Sequence, residues 1–115
     1  MTAEVKMPNR EIEIAGRRIG ASYSPYIVAE VSANHNGSLE RAMRTITRAK
    51  EAGADAVKIQ SYNPDSMTID CDDEDFQIHG GLWDGYTLYG LYAWAQTPYE
   101  WHQALFQHAR AVGIT

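Results

Sequence analysis

Apolar and polar residues alternate with two different periods along the chain, and the changes of period mark its secondary structure. Glu11 to Ile14 alternates with a period of two residues, Ala15-Gly16-Arg17 is a turn sequence, and Arg18 to Gly20 can form a returning strand. Together these features predict a short β-hairpin. A hairpin of this length is unstable alone in water, so we expect it to pack on a larger unit.

The next stretch predicts a strand followed by a helix. The mostly apolar run Tyr26 to Ala29 is typical of a buried strand, and we expect this strand to extend to Val31. Ser38 suits the N-cap of a helix, and Gly53 suits the position just after its last turn. Between them, four apolar residues recur at helical spacing: Leu39, Met43, Ile46 and Ala49.

A second strand and a second long helix follow. Ala54 to Tyr62 predicts the strand, and Thr97-Pro98-Tyr99-Glu100 combines a capping box with a proline at the first helical position. The helix that this sequence begins would end at Gly113, and Ile114-Thr115 would start a third strand. Its apolar face is Trp101, Leu105, Ala109 and Val112.

A weak internal repeat supports the same order of elements. Ala49 to Asp55 and Ala109 to Thr115 both read as a helix end, a glycine and a strand start. The segment between the two units, Asn63 to Gln96, is long and irregular. Insertions of this length in a compact α/β chain usually have a function. Within the segment, four residues at helical spacing predict a short helix: Leu88, Leu91, Tyr92 and Ala95.

Strands that alternate with helices predict an α/β fold with a parallel sheet. A (β/α)₈ barrel needs about 250 residues, so 115 residues could supply only its first βα units. We therefore expect a tail and β-hairpin in residues 1–25. Residues 26–115 would then form two βα units and the start of a third strand.

Composition excludes only a few classes of protein. The net charge of −5 gives no basic surface for nucleic acid, and 44% hydrophobic with 22% charged residues is ordinary for a globular protein. One cysteine, Cys71, excludes an internal disulfide and fits a reducing compartment. The polar N-terminus lacks the apolar core of a signal peptide, and no apolar run is long enough to span a membrane. A cytoplasmic protein is the expectation.

Candidate chemistry gathers where the two predicted strands end. Glu30 closes the first strand, and Asn34 and His35 follow in a polar loop. The side chains of Lys58 and Gln60 lie on the same face of the second strand, because residues two positions apart in a strand share a face. Parallel sheets bind their ligands at these carboxyl ends, and this set suits an anionic, hydroxyl-rich substrate. The alternatives are that Glu30 is a solvated strand end and that the face carrying Lys58 meets water.

Other motifs are weaker. No glycine-rich phosphate loop can be placed in the sequence. The acidic cluster from Asp70 to Asp75 does not match an EF-hand, so we expect a solvated loop. His79, His102 and His108 show no metal-ligand spacing, and the last two are expected to be surface or packing residues.

These residues resemble a known family. Ile27 to Ser38, followed by Ala52 to Gln60, is similar to the N-terminal region of the sialic acid synthase family. Gly81 to Tyr89 and Thr97 to His102 look most like the pseudaminic acid synthase branch of that family. The similarity extends from about Glu11 to Gly113.

The resemblance implies a (β/α)₈ barrel enzyme. Such an enzyme condenses phosphoenolpyruvate with an N-acetylated amino-sugar aldehyde to give a nine-carbon 2-keto sugar acid and phosphate. By motif position, Glu30 would contact the sugar and help to move a proton, Lys58 would hold phosphoenolpyruvate, and Gln60 would meet the sugar. Asn34 and His35 would belong to the substrate-binding loop, without assigned individual roles.

The resemblance also implies a divalent metal, commonly manganese, which polarises the aldehyde. Its ligands are expected outside residues 1–115, and no metal ligand is assigned within them. The full-length protein is expected to be a homodimer, and the 115-residue chain alone to lack synthase activity. Two alternatives stay open. One is a neuraminic or legionaminic acid synthase, and the other is a non-catalytic sugar-binding or scaffold module.

Overall fold

The computed structural model describes residues 10–115. The predicted tail in residues 1–9 lies outside the described residues, and the division into 1–25 and 26–115 stays a prediction. Two 3₁₀ turns, Glu74–Phe76 and Tyr99–Trp101, accompany four strands and four helices. These are β1 (Ile12–Ile14), β2 (Arg17–Ile19), β3 (Val28–Glu30), α1 (Leu39–Glu51), β4 (Ala56–Lys58), α2 (Pro64–Met67), α3 (Leu88–Ala95) and α4 (His102–Val112).

The predicted hairpin is confirmed. β1 and β2 pair antiparallel with Ile12 opposite Ile19, and only Ala15 and Gly16 lie between them. Both turn residues have positive φ, +49° and +80°, as a two-residue turn of this hand requires. Arg17, which the sequence placed in the turn, is instead the first residue of β2.

Arg17 anchors the hairpin to the parallel strands. Its guanidinium forms an ion pair with Asp55 and donates to the carbonyl oxygens of Ser24 at 3.1 Å and Pro25 at 3.2 Å. The second oxygen of Asp55 accepts the backbone N–H of Ile27 at 2.7 Å. The hairpin is therefore held at the N-terminal ends of β3 and β4, on the larger unit that it was expected to need.

β3 and β4 are parallel neighbours. Glu30 is paired with Lys58 in the register, and the Val31 N–H continues the pairing by donating to the Lys58 carbonyl at 2.9 Å. Both strands are shorter than predicted. On β4, the N–H of Ala56 donates to Ile27, whereas the next N–H, of Val57, donates to Thr115 at 2.8 Å. Successive N–H groups point to opposite edges, so Thr115 lies beside β4 where a third strand was predicted to begin.

α1 and α4 cover one face of this sheet. The buried core consists of Val31, Ala42, Ile46, Leu105, Ala109 and Ile114. The two predicted apolar faces lie in or against this core, so the helical periodicity identified the packing surfaces correctly. The prediction of a buried first strand does not hold within residues 10–115, where Val31 is 1% exposed but Ile27 is 53% and Val28 is 47% exposed. Within residues 10–115 the helices cover the opposite side of the sheet from Val28.

The two long helices end in the same way. In α1 the N–H groups of Gly53 and Ala54 donate back to Lys50 and Ala49, and Gly53 has φ +95°. Six-to-one and five-to-two bonds of this kind define a Schellman motif. In α4 the equivalent N–H groups donate to Arg110 and Ala109, and Gly113 has φ +80°. The internal repeat predicted from the sequence is thus a repeated helix end.

The predicted capping box at the start of α4 does not form. A 3₁₀ turn covers Tyr99–Trp101, and α4 begins only at His102. Thr97 is 1% exposed, and its hydroxyl has no hydrogen-bond partner within the described residues. Its backbone N–H instead donates to the carbonyl of Gln60 at 2.9 Å. This hydrogen bond to Gln60, which follows β4, holds Thr97 away from the capping position.

The segment between β4 and α4 is folded. α3 is confirmed where it was predicted, and the Thr87 hydroxyl accepts the Gly90 N–H at 3.1 Å at its start. α2 was missed, although Asn63 followed by Pro64 is a common helix start. The Asp65 carboxylate near Tyr89 raises the pKa of the Tyr89 hydroxyl, with α2 and α3 adjacent to each other.

Candidate functional site

Glu30 and Lys58 form an ion pair at the carboxyl ends of β3 and β4. The distance from Glu30 Oε1 to Lys58 Nζ is 2.6 Å. Paired residues of neighbouring strands put their side chains on the same face, so this contact follows directly from the register. Two of the five predicted site residues are thereby brought together.

The side chains of Lys58 and Glu30 are both exposed within residues 10–115. The Lys58 side chain is 59% exposed and that of Glu30 is 56% exposed, so the alternative that this face meets water is correct for residues 10–115. An exposed ion pair contributes only about 0.2–1 kcal/mol to stability. A pair this weak is easily exchanged for a ligand, because an anion that binds Lys58 has little stabilisation to replace.

Gln60 extends the same face by one more position. It has the same parity as Lys58, and its side chain is exposed and makes no hydrogen bond within residues 10–115. Its backbone carbonyl, in contrast, is fixed by the Thr97 N–H at 2.9 Å. The backbone of Gln60 is therefore held in place while the amide stays accessible.

Asn34 lies in the loop that follows β3. Its side-chain nitrogen donates to the Val31 carbonyl at 2.9 Å, and its backbone N–H donates to the same oxygen at 3.0 Å. Asn34 is exposed, and its side-chain oxygen accepts no hydrogen bond from the described residues. The side-chain nitrogen of Asn34 thus orients the amide, and the side-chain oxygen is able to accept a further hydrogen bond.

His35 is placed differently from the other four residues. Its ring is 1% exposed and packs edge-on against Trp101, with 5.2 Å between ring centroids. Nδ1 accepts the Gly37 N–H at 3.0 Å. Burial lowers the pKa of His35, although the nearby backbone of Ala95 and Gln96 acts in the opposite direction. A buried, neutral ring cannot touch a substrate in this structure, and its contacts hold the loop.

Backbone strain is concentrated in that loop. Ser32, Asn36 and Gly37 all have positive φ, +49°, +48° and +73°. Glycine adopts this region freely and asparagine tolerates it, whereas serine does not favour it. The loop ends where the Ser38 hydroxyl accepts the Arg41 N–H at 3.2 Å, so the predicted N-cap is confirmed. The strained loop is therefore fixed by a helix start at one end and by β3 at the other.

The remaining histidines have structural partners. His108 Nε2 contacts the Thr47 hydroxyl at 2.8 Å and joins α4 to α1, so its predicted packing role is confirmed. His102 Nε2 is hydrogen-bonded to the Ser61 hydroxyl. Ser61 directly follows Gln60, which brings His102 next to the candidate site. No local pattern could predict this pair, because its members are 41 residues apart.

The described residues offer no metal centre. No group of three or more His, Cys, Asp or Glu side chains in residues 10–115 is arranged to hold a metal ion. The five acidic residues between Asp70 and Asp75 are exposed, as predicted for a solvated loop. A membrane-spanning helix is likewise missing from the part of the chain that the structure describes.

Comparison with known proteins identifies the family. Residues 45–115 match the NeuB family, and the chain belongs to it. It is 60% identical over 89 residues to pseudaminic acid synthase of Campylobacter jejuni, covering 77% of this chain and 26% of that protein. It is 49% identical over 90 residues to pseudaminic acid synthase of Helicobacter pylori, covering 78% and 26%. The chain thus spans about a quarter of the length of these relatives.

A solved structure shows the architecture. The chain superposes with a TM-score of 0.71 on N-acetylneuraminic acid synthetase of Leptospira borgpetersenii, at 24% identity, over 92% of this chain and 32% of that one. The predicted fold class is confirmed: a β-hairpin followed by βα units of a TIM barrel. In such a barrel the strand face turned away from the helices points inward. Glu30, Lys58 and Gln60 lie on that face, at the carboxyl ends where these barrels have their active sites.

Proposed function

We propose that this chain forms one wall of the active site of a pseudaminic acid synthase. The reaction condenses phosphoenolpyruvate with an N-acetylated amino-sugar aldehyde and water, giving a nine-carbon 2-keto sugar acid and phosphate. The exposed Glu30–Lys58 pair at the carboxyl ends of two parallel strands carries the proposal. We assign the whole reaction to a full-length synthase that contains residues 1–115.

Lys58 is proposed to hold phosphoenolpyruvate. An ammonium group is a compact cation that suits a phosphate or a carboxylate. Phosphoenolpyruvate carries both groups and more negative charge than one carboxylate, so it would compete well with Glu30. The cost of the exchange is small, since a pair exposed to this extent contributes about 0.2–1 kcal/mol.

Glu30 is proposed to act on the sugar once Lys58 has moved to the phosphate. The freed carboxylate can accept a hydrogen bond from a sugar hydroxyl and can move a proton. In the condensation, C3 of phosphoenolpyruvate forms the new bond to the aldehyde carbon, and the aldehyde oxygen takes a proton. Water then adds at C2, and the bond from C2 to the phosphate oxygen breaks as the keto group forms.

Gln60 and Asn34 are proposed to bind sugar hydroxyl and N-acetyl groups. Both residues are exposed, and each has an amide end that makes no hydrogen bond within residues 10–115. An amide can both donate and accept, which matches the mixed groups of an amino sugar. His35 is proposed to act indirectly, by holding the loop that carries Asn34.

Residues 10–115 do not fit a metal centre of their own, so no step is assigned through a metal among them. Manganese would bind ligands from the rest of the barrel. A homodimeric enzyme in the cytoplasm is also proposed, since such an enzyme uses a metabolite made there.

The acceptor sugar is the point on which alternatives differ. Both relatives described above are named pseudaminic acid synthases, which supports that acceptor over those of neuraminic or legionaminic acid synthases. Activity of Lys58 variants decides between an enzyme and a scaffold.

The test measures phosphate release by the full-length protein with phosphoenolpyruvate, manganese and a panel of amino-sugar acceptors. We expect turnover with the pseudaminic acid precursor and at least a hundredfold loss in Lys58→Met. Lys50→Met is the matched control, because Lys50 is an exposed lysine on α1. Wild-type protein that releases no phosphate with any acceptor would contradict the proposal. So would a Lys58→Met variant as active as Lys50→Met.

A further inference from the structure

The six residues from Thr97 to His102, which lead into α4, contact both loops that carry the candidate site. The Thr97 N–H donates to the Gln60 carbonyl at 2.9 Å, and His102 is hydrogen-bonded to Ser61. Trp101 packs against His35, in the loop after β3. Three contacts from six consecutive residues thus reach the ends of two different strands.

The contacts to β4 fix the position of Gln60. One hydrogen bond holds its carbonyl, and the second holds the side chain of the following residue, Ser61. In an extended chain a slip of one residue turns every side chain to the other face. Hydrogen bonds to two successive residues, Gln60 and Ser61, exclude such a slip. They keep the Gln60 amide on the same face as Lys58.

His102 is itself held by aromatic neighbours. Its ring contacts Tyr99 at 5.5 Å and Phe106 at 6.2 Å between centroids. Histidine has only two side-chain torsions, so two ring contacts restrict its orientation and aim Nε2 at Ser61. His102 is the first residue of α4, and its position is therefore coupled to the helix that packs on the core.

The contact to the loop after β3 is of a different kind. Ser32 and Asn36 of that loop have positive φ, and such strain persists only where the surrounding structure holds it. His35 is the buried centre of the loop, since its Nδ1 accepts the Gly37 N–H. The Trp101 ring closes over His35, so the same helix start that holds Gln60 also holds the loop with Asn34.

We propose that Trp101 and His102 are positioning residues for the amino-sugar half of the active site. This proposal rests on the proposed function. In this proposal neither residue contacts the substrate. His102 positions Gln60 through Ser61, and Trp101 positions the loop after β3 through His35. Lys58 lies within β4 and is positioned by its pairing with β3, so phosphoenolpyruvate binding should not depend on either residue.

This division gives a kinetic signature. In the full-length protein, His102→Ala is expected to raise the KM for the amino sugar at least tenfold and to lower kcat. The KM for phosphoenolpyruvate should change less than threefold. Ser61→Ala should reproduce the effect, and the double variant should be no worse than either single one, because both remove the same hydrogen bond. Trp101→Leu should show the same split between the two KM values.

A conservative variant separates geometry from folding. His102→Gln keeps a side chain that can hydrogen-bond to Ser61, and it should recover most of the amino-sugar KM. His108→Ala is the matched control. This variant removes a histidine from the same helix, together with a 2.8 Å hydrogen bond to Thr47 in the helix interface. It should lower stability and leave both KM values unchanged.

The outcomes distinguish this proposal from the proposed function. Unchanged KM values in His102→Ala, with kcat reduced only in proportion to the folded fraction, would overturn the positioning role and leave the synthase activity standing. An equal rise of both KM values would overturn it as well. A wild-type protein without turnover overturns the proposed function and this proposal together. Amino-sugar KM values that rise in His102→Ala and recover in His102→Gln support both.

Discussion

Glu30 and Lys58 lie opposite each other on neighbouring parallel strands, with 2.6 Å between carboxylate and ammonium, and both side chains are more than half exposed. An ion pair exposed to this extent contributes little to stability. Exposure and the position at the strand ends instead indicate a pair that is free to exchange partners. A substitution at Glu30 is therefore expected to affect activity far more than stability.

Glu30→Gln should lower kcat of the full-length protein at least a hundredfold and change the free energy of unfolding by less than about 1 kcal/mol. Under the proposed function the carboxylate moves a proton, whereas its exposure within residues 10–115 gives it little part in folding. Urea titration and steady-state kinetics on one preparation provide the two numbers. Glu51→Gln, which breaks an exposed pair with Arg48, is the control and should affect neither. A large loss of stability in Glu30→Gln would show a structural role.

Asp55→Ala should lower the free energy of unfolding by about 1–2 kcal/mol, as measured by urea titration. Asp55 joins Arg17 of the hairpin to the Ile27 N–H at the start of β3, and its side chain is only 24% exposed. The variant leaves a backbone N–H and a guanidinium without their partner. Asp75→Ala, in the exposed acidic loop, should change stability by less than about 0.5 kcal/mol. Equal effects of the two variants would contradict the anchoring role.

Ala15→Asn should stabilise the protein by roughly 0.5–1 kcal/mol. Ala15 has φ +49° in the hairpin turn, a region that costs an L-residue about 1 kcal/mol and that asparagine tolerates best. Thermal unfolding should show a higher midpoint for Ala15→Asn. Gly16→Ala should show a lower midpoint, because Gly16 has φ +80° and its replacement introduces the strain that Ala15→Asn relieves. A lower midpoint in Ala15→Asn would mean that the turn does not limit stability.

His35 should make stability depend on pH on the acid side of neutrality. Burial lowers its pKa below the ordinary value of 6.5, so the unfolded chain binds a proton before the folded chain does. The contribution of the neutral ring is therefore complete above pH 6.5 and is lost as the pH falls toward the folded pKa. Urea titrations at several pH values between 7.5 and 5 should show this loss. In His35→Asn the loss should be smaller, and an identical slope in both proteins would contradict the prediction.

Local signals predicted the helices well. Ser38, Gly53 and Gly113 act within one helical turn of their own position, so caps and ends could be read without any tertiary information. Apolar periodicity likewise identified the faces that α1 and α4 bury. The hairpin was equally readable, because strand alternation and a two-residue turn are local features.

The errors arose where distant residues decide the structure. Thr97 is a good helix cap by sequence, but a hydrogen bond to Gln60, 37 positions earlier, holds it elsewhere. The exposure of Val28 within residues 10–115 was not predicted, because a strand sequence does not show which side of its sheet the helices cover. The His102–Ser61 bond was invisible for the same reason. Of the candidate site, strand parity predicted the shared face of Lys58 and Gln60, and the strand ends predicted that Glu30 lies near them. The burial of His35 was not predicted.

The matching turns at Gly53 and Gly113 lie 60 positions apart and have the same hydrogen-bond pattern. Each turn directs the chain into the next strand by hydrogen bonds that close within six residues. The strand directions are thus set locally, whatever lies between. A change in the length of the segment with α2 and α3 would therefore leave the hydrogen bonds of both turns intact.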